Sequence, residues 1–211
     1  MRTDNLITRD GSTPLDPDQI KGIRFSHLTN MGELDELEDL NIQKGIEWLQ
    51  HQKNGDYLRT EFLCRLHEKL FGDVWKWAGK FRTVEVNISK YRAYDVGPQL
   101  LNFFEDIKLW LKSPNMRSEE ISAEMHHRLV CIHPFPNGNE RTTRIYTEYF
   151  QRRQNWPVTN WKASLSTTPQ ERRKSYIKAL QLADKGDFRM LIEFMSEKKR
   201  ASKEALLRKI I

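Results

Sequence analysis

Apolar positions along the chain recur mostly at helical spacing and predict a mainly helical protein. From Asn30, the stripe Leu34, Leu37, Asn41, Ile42, Trp48 and Leu49 predicts a first helix whose opening half is acidic (Glu33, Asp35, Glu36, Glu38, Asp39). A turn at Asn54-Gly55-Asp56 separates it from a second helix, in which Thr60 is a candidate cap and Phe62, Leu63, Leu66, Leu70 and Phe71 form the inner face. Val84, Val86 and Ile88 alternate with polar residues, the period of a half-buried strand, and a turn at Ser89-Lys90 would let Tyr91 to Tyr94 return as a hairpin. Pro98 then opens a helix carrying Leu100, Phe103, Phe104, Ile107, Trp110 and Leu111, which Ser113-Pro114 closes. Two further stripes follow the central motif: Tyr176, Ile177, Leu180 and Ala183, then, after a break at Gly186-Asp187, Phe188, Leu191, Ile192 and Met195.

Between these lies the stretch that carries chemistry. Ile121, Met125, Leu129 and Ile132 mark a helix that starts near Ser118 and must end at His133-Pro134, because a residue before proline is pushed out of the α region. Pro136-Asn137-Gly138-Asn139 is a tight loop, and Asn139 and Glu140 suit the start of the next helix, whose apolar face holds Ile145, Tyr149 and Phe150. A helix N-terminus offers unpaired N–H groups and the positive end of a dipole. Gly138 lets backbone approach a ligand, Arg141 and Arg144 lie one turn apart and can fork onto phosphate oxygens, and Asn137 and Asn139 offer amide oxygens. His133, at the loop entry, can take a proton from a hydroxyl near neutral pH. A base beside an anion cradle points to transfer of a phosphate-containing group to a hydroxyl.

Composition narrows the class. The chain has 211 residues, 38% hydrophobic and 30% charged, as in a soluble globular domain with terminal extensions. Its net charge of +6 fits nucleic acid, an acidic partner or nucleotide binding, and equally a modest surface excess; a nucleic-acid-binding helical domain rests on the charge alone and is not the expected reading. The two cysteines, Cys64 and Cys131, fall in apolar helical patterns and read as reduced, buried thiols. No apolar run is long enough to cross a membrane and no signal core opens the chain, so a cytoplasmic setting is expected. His126 and His127 are adjacent, cannot share a helix face, and make a poor joint metal site.

The run HPFPNGNERTTR, residues 133–144, resembles the signature of Fic-domain proteins, H-P-F-x-D/E-G-N-G/K-R-x-x-R. The run from Val74 to Arg82 resembles the segment before the active-site flap of such domains, and the order Tyr176, Ala179, Leu180, then Gly186-Asp187, then Leu191 and Phe194 resembles their C-terminal part. The resemblance spans about Asn30 to Met195. It implies an all-α Fic-type domain at 30–195 with one short β-hairpin flap at 83–96, an N-terminal arm at 1–29 and a basic tail at 196–211. It also implies transfer of AMP from ATP, with Mg2+, to a Ser, Thr or Tyr hydroxyl of a target protein. By position, His133 would be the general base, Phe135 the loop's core anchor, Gly138 and Asn139 the anion hole, Arg141 the phosphate clamp and Arg144 the γ-phosphate ligand. Val84, Val86 and Ile88 would present the target segment as an added strand.

Two motif positions depart from the pattern. Asn137 stands where Asp or Glu holds magnesium, and Glu140 stands where Gly or Lys is usual, a carboxylate close to where a triphosphate would lie. Both bear on ATP affinity and donor choice. They keep open a Doc-like phosphotransfer and a degenerate nucleotide-binding or interaction protein. Many Fic proteins also carry an inhibitory helix, S/T-x-x-x-E-G/N, whose glutamate pairs with the second motif arginine. At 30–50 neither Glu33 (four after Thr29, but followed by Leu34) nor Glu38 (followed by Asp39) satisfies it, so both remain candidates to meet Arg144. A small antitoxin partner supplying the glutamate is the alternative.

Overall fold

The computed structural model describes residues 21–25, 31–52, 55–161 and 168–196. Among these the regular structure is helical: α1 Met31–Gln50, α2 Thr60–Phe71, a 3-10 turn Ala93–Asp95, α3 Val96–Trp110, α4 Ser118–Ile132, α5 Asn139–Arg153, α6 Pro169–Ala183 and α7 Arg189–Ser196. The expected all-α class is met. No helix among the described residues is long and apolar enough to cross a membrane. The basic tail beyond Ser196 and most of the N-terminal arm lie outside the described residues. The chain divides into two compact units, 1–108 with 129–146, and 109–128 with 147–211.

In the first unit α1 turns Leu34, Glu38, Asn41, Gly45 and Leu49 inward, a stripe at helical period with two polar members. Asn41 explains its own burial. Its Nδ2 donates to the Lys69 carbonyl at 3.0 Å and its Oδ1 accepts from the Asp73 N–H at 2.8 Å, satisfying groups at the end of α2 that the helix leaves unpaired. Gly45 allows the approach, since a Cβ there would lie 2.8 Å from the Lys69 oxygen and 2.9 Å from Leu70 Cα. These contacts fix how far α1 slides along α2. On α2, Leu63, Leu66, Leu70 and Phe71 are fully buried. Thr60 is the first helical residue rather than its cap; Arg59 holds that position without a side-chain hydrogen bond.

The described part of the arm is pinned to the segment after α2. Ile23 forms an antiparallel bridge with Trp75, the Arg24 N–H donates to the Val74 carbonyl at 2.9 Å, and the Lys76 N–H donates to the Gly22 carbonyl at 2.8 Å.

The hairpin expected at 83–96 does not form: the segment is an irregular loop ending in the 3-10 turn. Val84 and Ile88 are each 62% exposed, so the alternation of apolar residues does not bury a strand face. The reason is Arg82. Its fully buried guanidinium takes up the Val84 and Tyr91 carbonyls at 3.0 and 2.6 Å, acceptors that a hairpin ladder would have used.

In the second unit Ala123 packs with Trp161, Tyr176, Ala179, Ala183, Leu191, Phe194 and Met195. The start of α6 is a full capping box, with Thr168 accepting from the Glu171 N–H and Glu171 reaching back to the Thr168 N–H. His126 is enclosed between Thr147 Oγ1 at 3.1 Å and the Tyr176 hydroxyl at 2.9 Å, while His127 meets Asp184 at 2.8 Å. Tyr176 is thus a core residue here.

Candidate active site

The motif loop is built at the junction of α4 and α5. Ile132 ends α4, and the next residue, His133, takes a left-handed backbone with φ 48, its N–H still bonded to the Leu129 carbonyl at 3.1 Å. A left-handed cap of this kind normally falls to glycine, because a Cβ meets the following carbonyl, so the conformation is held here against a local cost of roughly 1 kcal/mol. Burial pushes the His133 imidazole down from 6.5 to about 4; the nearby Val130 carbonyl opposes this and the Arg82 charge adds to it. At neutral pH the ring is therefore uncharged and has a lone pair to accept a proton.

The loop that follows is braced by its own side chains. Asn139 Oδ1 accepts from the Phe135 N–H at 2.9 Å and its Nδ2 donates to the Phe135 carbonyl at 2.7 Å. Asn139, expected as the helix cap and an anion ligand, is instead the first residue of α5, and its buried amide is spent on Phe135. The Gly138 carbonyl accepts the Thr142 N–H at 3.0 Å, which makes Gly138 the cap. Glycine is required there twice over: φ is 73, and a Cβ would lie 2.7 Å from the Phe71 ring.

His67 holds the loop from below. It is completely buried, and burial drives its pKa down to about 3, with the Asn137 carbonyl opposing and the Arg141 charge adding. Nδ1 accepts from the Gly79 N–H at 2.9 Å, so the proton sits on Nε2, which donates to the Asn137 carbonyl at 3.0 Å. The ring stacks on Phe135 with centroids 3.7 Å apart. Nothing in the sequence marked His67 beyond an apolar neighbourhood. Asn137 Oδ1 accepts from the Gly138 N–H at 2.6 Å, closing a small ring over one of the donors an anion would use.

Both motif arginines are engaged by carboxylates. Arg141 Nη1 lies 2.5 Å from Glu38 Oε2, and its guanidinium rests over the Phe71 ring at 4.7 Å. Glu38 is buried, and its other oxygen accepts the Trp75 indole N–H at 2.6 Å. Arg144 Nη2 lies 2.6 Å from Glu140 Oε1 one turn away. The expected pairing of Glu33 or Glu38 with Arg144 is replaced. Glu33 is exposed on the outer side of α1, and the register set by Asn41 and Gly45 delivers Glu38 to Arg141.

The flap residues Val84, Val86 and Ile88 lie on a loop anchored to the end of α4. Ser89 Oγ lies 3.0 Å from the Cys131 carbonyl and 3.1 Å from that of Ile132, and the Lys90 N–H donates to the Cys131 carbonyl at 3.2 Å.

The chain resembles known proteins in both sequence and fold. Residues 57–151 match the Fic/DOC family. The protein adenylyltransferase fic-1 of Caenorhabditis briggsae is 29% identical over 145 residues, which is 66% of this chain and 27% of that protein. The protein adenylyltransferase Fic of Drosophila mojavensis is 28% identical over 145 residues, 67% of this chain and 27% of its own length. The chain thus spans about a quarter of the length of these curated relatives. Among solved structures, the N-terminal Fic domain of the Bep8 effector from Bartonella sp. 1-1C superposes with a TM-score of 0.67 at 17% identity, covering 86% of this chain and 91% of that one. The BepC protein of Bartonella tribocorum, solved with bound AMPPNP, gives 0.60 at 17% identity, over 78% of this chain and 85% of that one. The helical fold of these structures and the match of residues 57–151 to the Fic/DOC family point the same way: over that stretch the chain is similar to Fic proteins.

Proposed function

We propose that the chain is a protein adenylyltransferase that moves AMP from Mg-ATP to a Ser, Thr or Tyr hydroxyl of a target protein. One observation carries the reading: an uncharged His133 opens an anion-binding loop whose Arg141 is occupied by a carboxylate at 2.5 Å, the kind of partner a phosphate would replace. In the reaction His133 removes the acceptor proton, and the acceptor oxygen attacks the α-phosphorus. The bond from that phosphorus to the oxygen bridging it to the β-phosphate breaks, and pyrophosphate leaves. Arg141 and the N–H groups at the start of α5 stabilise the charge that develops on the phosphates, which is normally the largest catalytic contribution. The acceptor segment docks along 83–91, where Val84 and Ile88 are already exposed.

Magnesium would arrive as part of the nucleotide. The chain offers it one neutral oxygen, Asn137 Oδ1, which first has to leave the Gly138 N–H. Mg2+ is normally held by one or two carboxylates together with substrate phosphates and waters, so here the triphosphate would supply more of its ligands. Arg144 and Glu140 would set the fit of the terminal phosphate. Glu38 is the inhibitory group in this reading: the carboxylate comes from the chain itself, and no antitoxin partner is needed to supply it. Use of ATP and two free cysteines, Cys64 and Cys131, suit a cytoplasmic setting.

A phosphotransfer reading is kept for one reason: the Glu140–Arg144 pair neutralises the arginine that would hold the terminal phosphate. Intact-mass measurement after incubation with ATP and magnesium separates the two. The unaltered chain, Glu38→Gly, and Glu38→Gly with His133→Ala are compared. An added adenylyl group in Glu38→Gly that disappears with His133→Ala supports the proposal. An added phosphoryl group alone favours the alternative, and a chain that binds no ATP in any form overturns both.

A further inference from the structure

Arg82 is the least expected residue of the first unit: a guanidinium 2% exposed, in a loop, with no buried carboxylate beside it among the described residues. Glu85 Oε2, at 3.6 Å, belongs to a side chain 64% exposed and is screened by solvent. Burying a cation is costly unless its donors are all met, so its partners indicate what it is for. Nε donates to the His133 carbonyl at 2.9 Å, Nη1 to the Val84 carbonyl at 3.0 Å, and Nη2 to Ser89 Oγ at 2.9 Å and to the Tyr91 carbonyl at 2.6 Å. Its backbone N–H donates to the Pro134 carbonyl at 2.9 Å. Four acceptors thus meet one planar fork. Two bonds go to the His133-Pro134 backbone, and three go to the loop carrying Val84 and Ile88. The fork also sits where α4 ends, beside carbonyls that the helix leaves unpaired and that favour a cation.

We propose that Arg82 is a positioning residue for the transfer reaction: a single guanidinium fixes the acceptor-binding loop 84–91 against the backbone of the base His133. This rests on the adenylyltransferase reading. Arginine is needed because lysine, a point charge on a flexible stem, cannot hold three carbonyls and a hydroxyl in fixed directions. Arg82 touches no reacting atom. It decides whether a docked hydroxyl lies within reach of His133, and an error of about 1 Å in such placement costs roughly a hundredfold in rate.

The test uses the full chain in the Glu38→Gly background, with Arg82→Gln, Arg82→Lys and Ser89→Ala added singly. Three quantities are read: amide hydrogen exchange along 84–91, ATP affinity by calorimetry, and the rate of self-modification at saturating ATP. Arg82→Gln and Arg82→Lys are expected to speed exchange at Ser89, Lys90 and Tyr91 while α2 and α5 stay protected. They should leave ATP affinity unchanged and lower the self-modification rate by roughly a hundredfold. Ser89→Ala removes one of the fork's four acceptors together with the hydroxyl's own contacts to the Cys131 and Ile132 carbonyls and the Tyr91 N–H, so it should loosen the same loop with the arginine in place; if the arginine variants do not fold, unchanged exchange on 84–91 in Ser89→Ala overturns the proposal. Unchanged exchange on 84–91 would overturn the proposal, and so would a rate loss that tracks weakened ATP binding or is restored by lysine. Faster exchange with no transfer in any background, Arg82 intact included, would leave the anchoring in place and sink the adenylyltransferase reading instead.

Discussion

Glu38 on α1 and Arg141 on α5 form an ion pair at 2.5 Å, although 102 residues separate them along the chain. The pair is assembled by contacts elsewhere. Asn41 and Gly45, one and two turns further along α1, lock that helix onto the end of α2, and Trp75 Nε1 holds the second oxygen of Glu38 at 2.6 Å. An arginine held this firmly must exchange one anion for another before it can bind phosphate.

Replacing Glu38 with Gly is therefore expected to tighten ATP binding and raise transfer by roughly tenfold to a hundredfold, the usual size of coupling between competing contacts. Glu33→Gly, on the exposed side of α1, is expected to change neither. Calorimetric titration with Mg-ATP checks the first effect and intact mass the second. Equal effects from the two glycine variants would mean that helix propensity is responsible, not the ion pair.

The contrast between Glu33 and Glu38 shows where sequence reasoning reached its limit. The two lie five residues apart, on different sides of a helix, so only one could face the motif. The apolar stripe through Leu34 and Leu49 was legible, and with it the helix. Which arginine Glu38 would meet depended on the register of α1 on α2, set by the hydrogen bonds of Asn41, which the stripe includes without revealing its partners, and by Gly45, which periodicity counts as a gap. The motif loop was legible because its residues carry their own geometry: Gly138 with positive φ, proline after His133. Asn139 was misassigned because a good cap residue can equally bond two backbone groups of Phe135. The hairpin was read from the alternation of Val84, Val86 and Ile88, a local signal that does not reveal Arg82 taking up the carbonyls.

Gly45→Ala tests the register directly. The added Cβ would sit 2.8 Å from the Lys69 oxygen and 2.9 Å from Leu70 Cα, backbone atoms with little room to yield. Overpacking of this kind costs about 1–3 kcal/mol. The strain falls on the α1–α2 contact that presents Glu38, so the variant is expected to be less stable in denaturant titration yet more active in transfer. Lower activity alongside lower stability would show that α1 supports the site rather than restraining it.

Asn137→Asp is expected to strengthen the magnesium dependence of ATP binding. It places a carboxylate where the chain now offers one neutral oxygen, itself engaged by the Gly138 N–H at 2.6 Å. The effect should appear as tighter Mg-ATP binding with little change for ATP in excess chelator. Glu140→Gly is expected to act separately, freeing Arg144 from its 2.6 Å pair and tightening ATP even without added metal. Additive gains in the double variant would show two independent departures from the motif; a single shared gain would show one site of repulsion.

Acid should destabilise the site before it unfolds the rest. His67 and His133 have folded-state values of about 3 and about 4, each lowered first by burial, against an unfolded value near 6.5. Between those values the unfolded chain holds protons that the folded chain does not, so stability rises with pH there and is lost as pH falls from about 6.5 toward 3. For His67 the gap sets an upper limit of about 5 kcal/mol at 1.36 kcal/mol per pH unit. Its two ring nitrogens are both committed, one as acceptor from Gly79, so a second proton must break that bond. His67→Gln removes this proton and is expected to flatten the acid limb of a stability-against-pH curve, while lowering stability at pH 7 through the lost stacking on Phe135. His133→Gln should flatten the limb less and leave the pH 7 stability nearer its starting value, because that ring is only half-buried. If the acid limb keeps its slope in both variants, paired carboxylates such as Asp187, held near 2 first by its Arg189 hydrogen bond, govern acid unfolding instead.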